Sequence, residues 1–201
     1  MYSKAIKHLK TNDPILHEIA LSIEPFELSI HPDPFIRLIR SIIGQQLSVK
    51  AAATIFARFE DLFPNKEIEP NYILKIPDEK LRSVGLSRQK ISYLKDLSQK
   101  VIEKEVELEN LQELESEVII EQLLKIKGIG RWTAEMFLMF SLGRPDIFSN
   151  GDLGLQNAIR NIYKLSNKPT IEEMEKISNK WSPYRTYASM ILWRSLNNEP
   201  K

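Results

Sequence analysis

The chain has 201 residues, 42% hydrophobic and 27% charged, with a formal net charge of +1 at pH 7, a composition suited to one sizeable core or two smaller lobes. The absence of cysteine excludes disulfides, thiolate zinc sites and cysteine-ligated iron–sulfur clusters, and His8, His17 and His31 lack metal-ligand spacing. No apolar run reaches the roughly eighteen residues of a membrane span, and MYSKAIKHLKTNDP shows neither a secretory h-region nor a cleavage site, so an intracellular protein is expected. The near-zero net charge hides an asymmetry. Residues 102–122 hold eight glutamates and one lysine, which leaves an excess of eight basic residues elsewhere. One face can then be basic and another acidic, or the acidic run is simply a solvated connector.

Taken in chain order, the periodicity is helical almost throughout. In DPFIRLIRSIIGQQLS, Asp33 suits an N-cap and Pro34 a first helical position, and Phe35, Leu38, Ile39, Ile42 and Ile43 form one apolar stripe. Gly44 to Ser48 interrupts the stripe, and Ser48 can cap a second helix, VKAAATIFARFEDLF. In IPDEKLRSVGLSRQKISYLKDLS a short helix ends near Gly85 and Ser87 starts another. Thr170 and Glu173 make a capping box before EEMEKISNKW, and Pro183 can open the last helix, YRTYASMILWRSL. No alternating strand pattern stands out, so the expected class is all-α, with about ten helices. LRSVGLSRQK (81–90) and LKIKGIGRWT (124–133) echo each other as Leu-x-x-x-Gly-apolar before a new helix, as two short helix–turn–helix units would.

The second of those turns, Gly128-Ile129-Gly130, can point successive N–H groups outward at a helix start. Unpaired donors and the positive end of the helix dipole favour an anion there, with Arg131 and Thr133 as further donors. A DNA phosphate is a natural ligand, and a plain tight turn is the bland reading.

LLKIKGIGRWTAEMFLMF followed by PDIFSNGDLGLQNAI resembles the helix-hairpin-helix–Gly-Pro-Asp superfamily of DNA base-excision glycosylases, in its alkylation-repair branch, the 3-methyladenine DNA glycosylase II type. SIIGQQLSVKAAATI (41–55), VGLSRQKISYLKDLS (84–98) and WSPYRTYASMILWRSL (181–196) agree in order, so the resemblance spans roughly residues 33–196. No counterpart of the β-rich N-terminal domain of some bacterial members is seen in these residues, so the compact, all-helical form is expected. The signature proline before the aspartate is also absent, the sequence there being Ser149-Asn150-Gly151-Asp152.

The resemblance implies one glycosylase unit over 1–201, with two helical lobes and a DNA-binding cleft. One lobe would cover about 35–140, including the hairpin at 124–133, and the other about 1–34 plus 141–201. It implies a monofunctional enzyme of base excision repair that removes alkylated bases from duplex DNA. The partner would be duplex DNA, with no membrane, and the chain would act as a monomer, in the cytoplasm of a bacterium or the nucleus of a eukaryote.

Cleaving an N-glycosidic bond develops positive charge on the sugar, which a carboxylate stabilises while orienting water. Asp152 occupies the matching position, and the start of DLGLQNAIRNIY suits a negative charge. Asp146 in RPDIF is the rival acid and reads as a loop residue. Trp132, Met136 and Trp193 match positions of the base pocket, where aromatic faces attract cationic alkylated purines. Gln46 matches the wedge that fills the gap left by a flipped base, with Leu47 beside it, and Ser48 can touch a phosphate. The lysine with which bifunctional relatives form a Schiff base falls at Trp132, while Lys125 and Lys127 precede the glycines. No cofactor is required. A structural monovalent cation (Na or K) at the carbonyls of Leu124, Ile126 and Ile129 is the one ion the resemblance suggests. The alternatives are a non-catalytic helix-hairpin-helix DNA-binding protein and a helical scaffold that binds no DNA.

Overall fold

The computed structural model describes residues 1–197. In chain order its helices are α1 (Tyr2–Asn12), α2 (Pro14–Leu21), α3 (Pro34–Gly44), α4 (Val49–Glu60), α5 (Pro70–Lys75) and α6 (Asp78–Ser83). They continue as α7 (Arg88–Ile102), α8 (Ser116–Leu124), α9 (Arg131–Phe140), α10 (Leu153–Ile162), α11 (Ile171–Ser178) and α12 (Arg185–Asn197). Among the described residues there is no strand, and no helix is long and apolar enough to cross a membrane. Among the described residues, twelve α-helices stand where about ten helices are expected, because prolines subdivide the chain. Pro14 restarts it after Asp13, and Pro77 follows Ile76 between α5 and α6.

The chain forms two compact units, one of Met1–Ile30 with the segment from Leu138 onward, the other of His31–Phe137. In the second, the stripe Phe35, Leu38, Ile39, Ile42 and Ile43 is buried as its period requires, and α7 packs against α3, α5 and α6. Asp33 and Ser48 cap α3 and α4 by accepting from Ile36 N and Ala51 N at 2.9 and 3.3 Å. The echo noted in the sequence is structural. Gly85 and Gly128 both hold positive φ, +105° and +81°, and α7 and α9 each begin three residues later.

In the first unit, α10 packs on α12, and α12 on α1 and α2, around Leu9, Leu16, Leu155, Ile159, Trp181 and Ile191. Asp13 is buried there and accepts from Leu16 N at 3.1 Å, from Tyr163 OH at 2.5 Å and from the Trp181 indole at 2.8 Å. Burial, then the Asp13 carboxylate, pushes the Tyr163 phenol far above its ordinary value. The Thr170–Glu173 capping box is formed on both sides. The last helix begins at Arg185 rather than at Pro183, because Tyr184 N–H first closes a turn on Trp181 O at 2.7 Å.

Candidate active site

In the hairpin, α8 ends at Leu124 and a run of tight turns follows, Ile126 N–H donating to Leu123 O at 3.0 Å and Ile129 N–H to Ile126 O at 3.1 Å. The two glycines have different duties. Gly128 needs its positive φ, and a Cβ there would collide with the ring of Tyr93. Gly130 has no such φ, and a Cβ on it would meet nothing within 4 Å. Its carbonyl accepts Ala134 N–H at 3.0 Å and so opens α9. The open space above Gly130 is room for something outside the chain to come close.

The basic residues around the hairpin have partners. Arg131 forms a bidentate pair with Glu117 at 2.8 and 2.9 Å and approaches Glu135 at 3.2 Å. Its hydrogen bonds hold the Glu117 carboxyl below the ordinary range. Lys127 donates its backbone N–H to Asp96 at 2.8 Å and brings its ammonium to 3.3 Å from the same carboxylate, while Lys125 reaches Glu105 O at 3.4 Å. An exposed pair such as Arg131–Glu117 contributes only about 0–1 kcal/mol.

Between α3 and α4, Gln46 is exposed with φ +57°, Leu47 is 38% exposed, and Ser48 caps the next helix. Two side chains not singled out in the sequence hold this loop. Gln45 donates its amide to Gly128 O at 2.7 Å, and Lys90 donates its ammonium to Ile43 O and Gln45 O at 2.7 and 2.9 Å. Gln46, Leu47, Gly128, Trp132 and Thr133 are thereby brought to the wall of one cavity of about 700 Å³. Trp132 is 51% exposed and Met136, one turn further along α9, is half-buried.

In the other unit, Asp152 is 8% exposed and N-caps α10, its Oδ1 accepting Leu155 N–H at 2.8 Å. The same oxygen accepts the indole N–H of Trp193 on α12 at 2.9 Å. Trp193 in turn packs on Phe140, ring centroids 5.8 Å apart. The loop that lacks the signature proline is closed by Asp152 N–H on Ser149 O at 3.2 Å and by the Gln156 amide on Asn150 O at 2.7 Å. Gly154 makes the arrangement feasible. A Cβ there would lie 3.0 Å from Asp152 Oδ1 and 3.0 Å from the Trp193 ring. A glycine in the first turn of a helix, where it is a poor former, was the signal for it in the sequence. Asp146 is occupied elsewhere, clamped by Arg185 at 2.8 and 3.0 Å and by the Ser182 hydroxyl at 2.8 Å. Burial pushes its carboxyl up, but the Arg185 and Ser182 hydrogen bonds outweigh that and leave it below the ordinary range.

Known proteins share this arrangement of helices and sequence. The profile of HhH-GPD superfamily base excision DNA repair proteins matches residues 39–183. The chain is similar to Bacillus subtilis YfjP, 38% identical over 165 residues, covering 79% of this chain and 58% of that protein. The crystal structure of a DNA-3-methyladenine glycosidase from Bacillus halodurans superposes with a TM-score of 0.86 at 35% identity, covering 96% of this chain and 89% of that one. Schizosaccharomyces pombe 3-methyladenine DNA glycosylase Mag1, solved in complex with abasic DNA, superposes with a TM-score of 0.81 at 35% identity, covering 98% of each chain. A helix-hairpin-helix turn, a capping aspartate beyond it and similarity over most of the length agree: the chain belongs to the HhH-GPD superfamily of base excision DNA repair proteins.

Proposed function

We propose that the chain is a monofunctional DNA glycosylase that excises alkylated bases of the 3-methyladenine and 7-methylguanine type from duplex DNA. The observation that carries the reading is the Asp152–Trp193 pair. A nearly buried carboxylate is fixed by a helix N-terminus and an indole N–H through one oxygen. A hairpin alone would serve a non-catalytic DNA binder equally well, whereas such a carboxylate suits charge stabilisation.

An N-alkylated purine carries a positive charge, so the electron pair of the breaking C1′–N bond leaves with the base and neutralises it. No acid has to protonate the leaving group. Asp152 stabilises the cationic sugar and takes a proton from the water whose oxygen bonds to C1′. Trp132, Met136 and Trp193 are proposed to contact the extruded base, with the indoles attracting its charge by about 0.5–2 kcal/mol. Gln46, flanked by Leu47, would fill the vacated stack, and Ser48, Gly128, Gly130, Arg131 and Thr133 would meet phosphates. Trp132 stands where a Schiff-base lysine would, and Lys127 is bound to Asp96, so the product is an intact abasic strand.

No cofactor takes part. The carbonyls of Leu124, Ile126 and Ile129 are neutral oxygen ligands of the kind a monovalent cation accepts, and such an ion would strengthen the hairpin's attraction for phosphate. The Ile126 carbonyl accepts one N–H and keeps a second lone pair for such a role. The protein is proposed to act as a monomer on duplex DNA.

Incubation with methylated duplex DNA and chromatography of free bases tests the reading. Methylated adenine should be released, the strand should break only after alkali, and borohydride should trap no covalent adduct. Failure to release any alkylated base would overturn the function; a trapped adduct would overturn its monofunctional form.

A further inference from the structure

Three residues spaced three apart on α7 each touch a different part of the loops proposed above to meet DNA. Lys90 bonds the Ile43 carbonyl in the last turn of α3 and the carbonyl of its C-cap, Gln45, at 2.7 and 2.9 Å. Tyr93 fills the space a Cβ would need at Gly128. Asp96 accepts Lys127 N–H at 2.8 Å. A cross-link joins the two loops directly, Gln45 donating to Gly128 O at 2.7 Å. One rigid helix therefore holds both the loop that carries Gln46 and the turn that carries Gly130.

We infer that Lys90 is a positioning residue for the Gln46 wedge, setting it at a fixed height against the hairpin. The inference rests on the glycosylase reading above and adds to it a residue that touches neither base nor phosphate. The carbonyls at a helix C-terminus lack partners within the helix and carry the negative end of its dipole, so an ammonium delivered from another helix satisfies both needs. The partners of Lys90 are carbonyls and not a carboxylate, and burial pushes its ammonium down from the ordinary lysine value. An amine is kept there despite desolvation, immediately before a residue in a strained conformation. Gln46 is held at φ +57°, a backbone state that persists only where the surroundings over-determine it. Lys90 and Gln45 are those surroundings. Without the ammonium, two carbonyls lose their donor, the residue before the wedge loosens, and Gln46 relaxes toward ordinary φ. The hairpin, held separately by Tyr93 and Asp96, stays.

The test uses a duplex with 2-aminopurine beside a non-cleavable abasic analogue, whose fluorescence reports unstacking and requires no turnover. Lys90→Met, close in length but uncharged, should lower the unstacking signal at saturation to the level of Gln46→Ala. Affinity for undamaged duplex should stay within about threefold of wild type, because phosphate contacts carry it. The double variant Lys90→Met/Gln46→Ala should match Gln46→Ala alone, since residues that act through one another are not additive. Lys90→Arg, which keeps the charge, should restore much of the signal and serves if the methionine variant fails to fold. Full unstacking by Lys90→Met, strictly additive effects with Gln46→Ala, or no rescue by arginine would overturn the inference. Absence of base release by the wild type alongside normal unstacking would instead sink the glycosylase reading, while the unstacking series would still decide whether Lys90 positions Gln46.

Discussion

Trp193 donates its indole N–H to Asp152 Oδ1 at 2.9 Å, the oxygen that also accepts Leu155 N–H at 2.8 Å. Two donors on one oxygen hold the carboxylate in place. The proposed acid is therefore oriented before any substrate arrives, which is what electrostatic preorganisation requires.

Trp193→Phe keeps a smaller ring against Phe140 and removes the donor. The α10 cap remains, so the melting temperature should move little. Single-turnover base release should fall about tenfold, the scale of one hydrogen bond to a charged group. An unchanged rate would mean that the indole N–H does not orient the acid.

Gly154→Ala sets two effects against each other. Helix propensity alone favours alanine by about 1 kcal/mol, but its Cβ would stand 3.0 Å from both Asp152 Oδ1 and the Trp193 ring. The collision should win at the site, with base release about tenfold slower and duplex affinity retained. A faster-melting protein with normal release would show that the alanine is absorbed elsewhere.

The two hairpin glycines should separate cleanly. Gly128→Ala meets the Tyr93 ring and a φ of +81°, so it should lower the melting temperature. Gly130→Val meets open space in the free protein and should leave melting nearly intact, while weakening binding to damaged and undamaged duplex alike. Equal melting loss in both variants would refute this division of roles.

The Asp146–Arg185 clamp gives a pH signature. The folded carboxyl lies below its ordinary value, so its stabilisation is full above the unfolded pKa and is lost as pH falls through the folded one. Asp146→Asn should destabilise the protein by about 1–3 kcal/mol at neutral pH. The gap from wild type should begin to narrow at about pH 4, where the unfolded carboxyl titrates, and close only below the lower folded value, where Asp146 is protonated and as neutral as asparagine. Base release per folded molecule should stay near normal, and a collapse of release without loss of stability would move Asp146 into the site.

What the sequence made legible was local. The stripe from Phe35 to Ile43, the caps at Asp33, Ser48 and Ser87, and the Thr170–Glu173 box depend on neighbours within a few residues. The Gly85 and Gly128 turns were legible for the same reason, since a turn that needs positive φ selects glycine. What stayed hidden was long-range. Lys90 reads as an ordinary helical lysine until the fold brings Ile43 and Gln45 to its ammonium. Arg131 reads as a free cation until α8 presents Glu117. The start of α12, set by the Tyr184 turn, is also held by Asp146, which accepts Arg185 N–H at 3.1 Å across the unit's fold. Asp152 was found through its place in a motif, and its partner Trp193 stands 41 residues away.

The most direct test of the account is single-turnover release of 3-methyladenine by wild type and by Asp152→Asn. Asparagine keeps an oxygen for Leu155 N–H and the Trp193 indole, so the fold, the cap and the duplex affinity should survive. What disappears is the negative charge beside the sugar. The wild type should release free 3-methyladenine, and the variant should do so at a rate lower by about 10²–10³. Release by Asp152→Asn at the wild-type rate would contradict it.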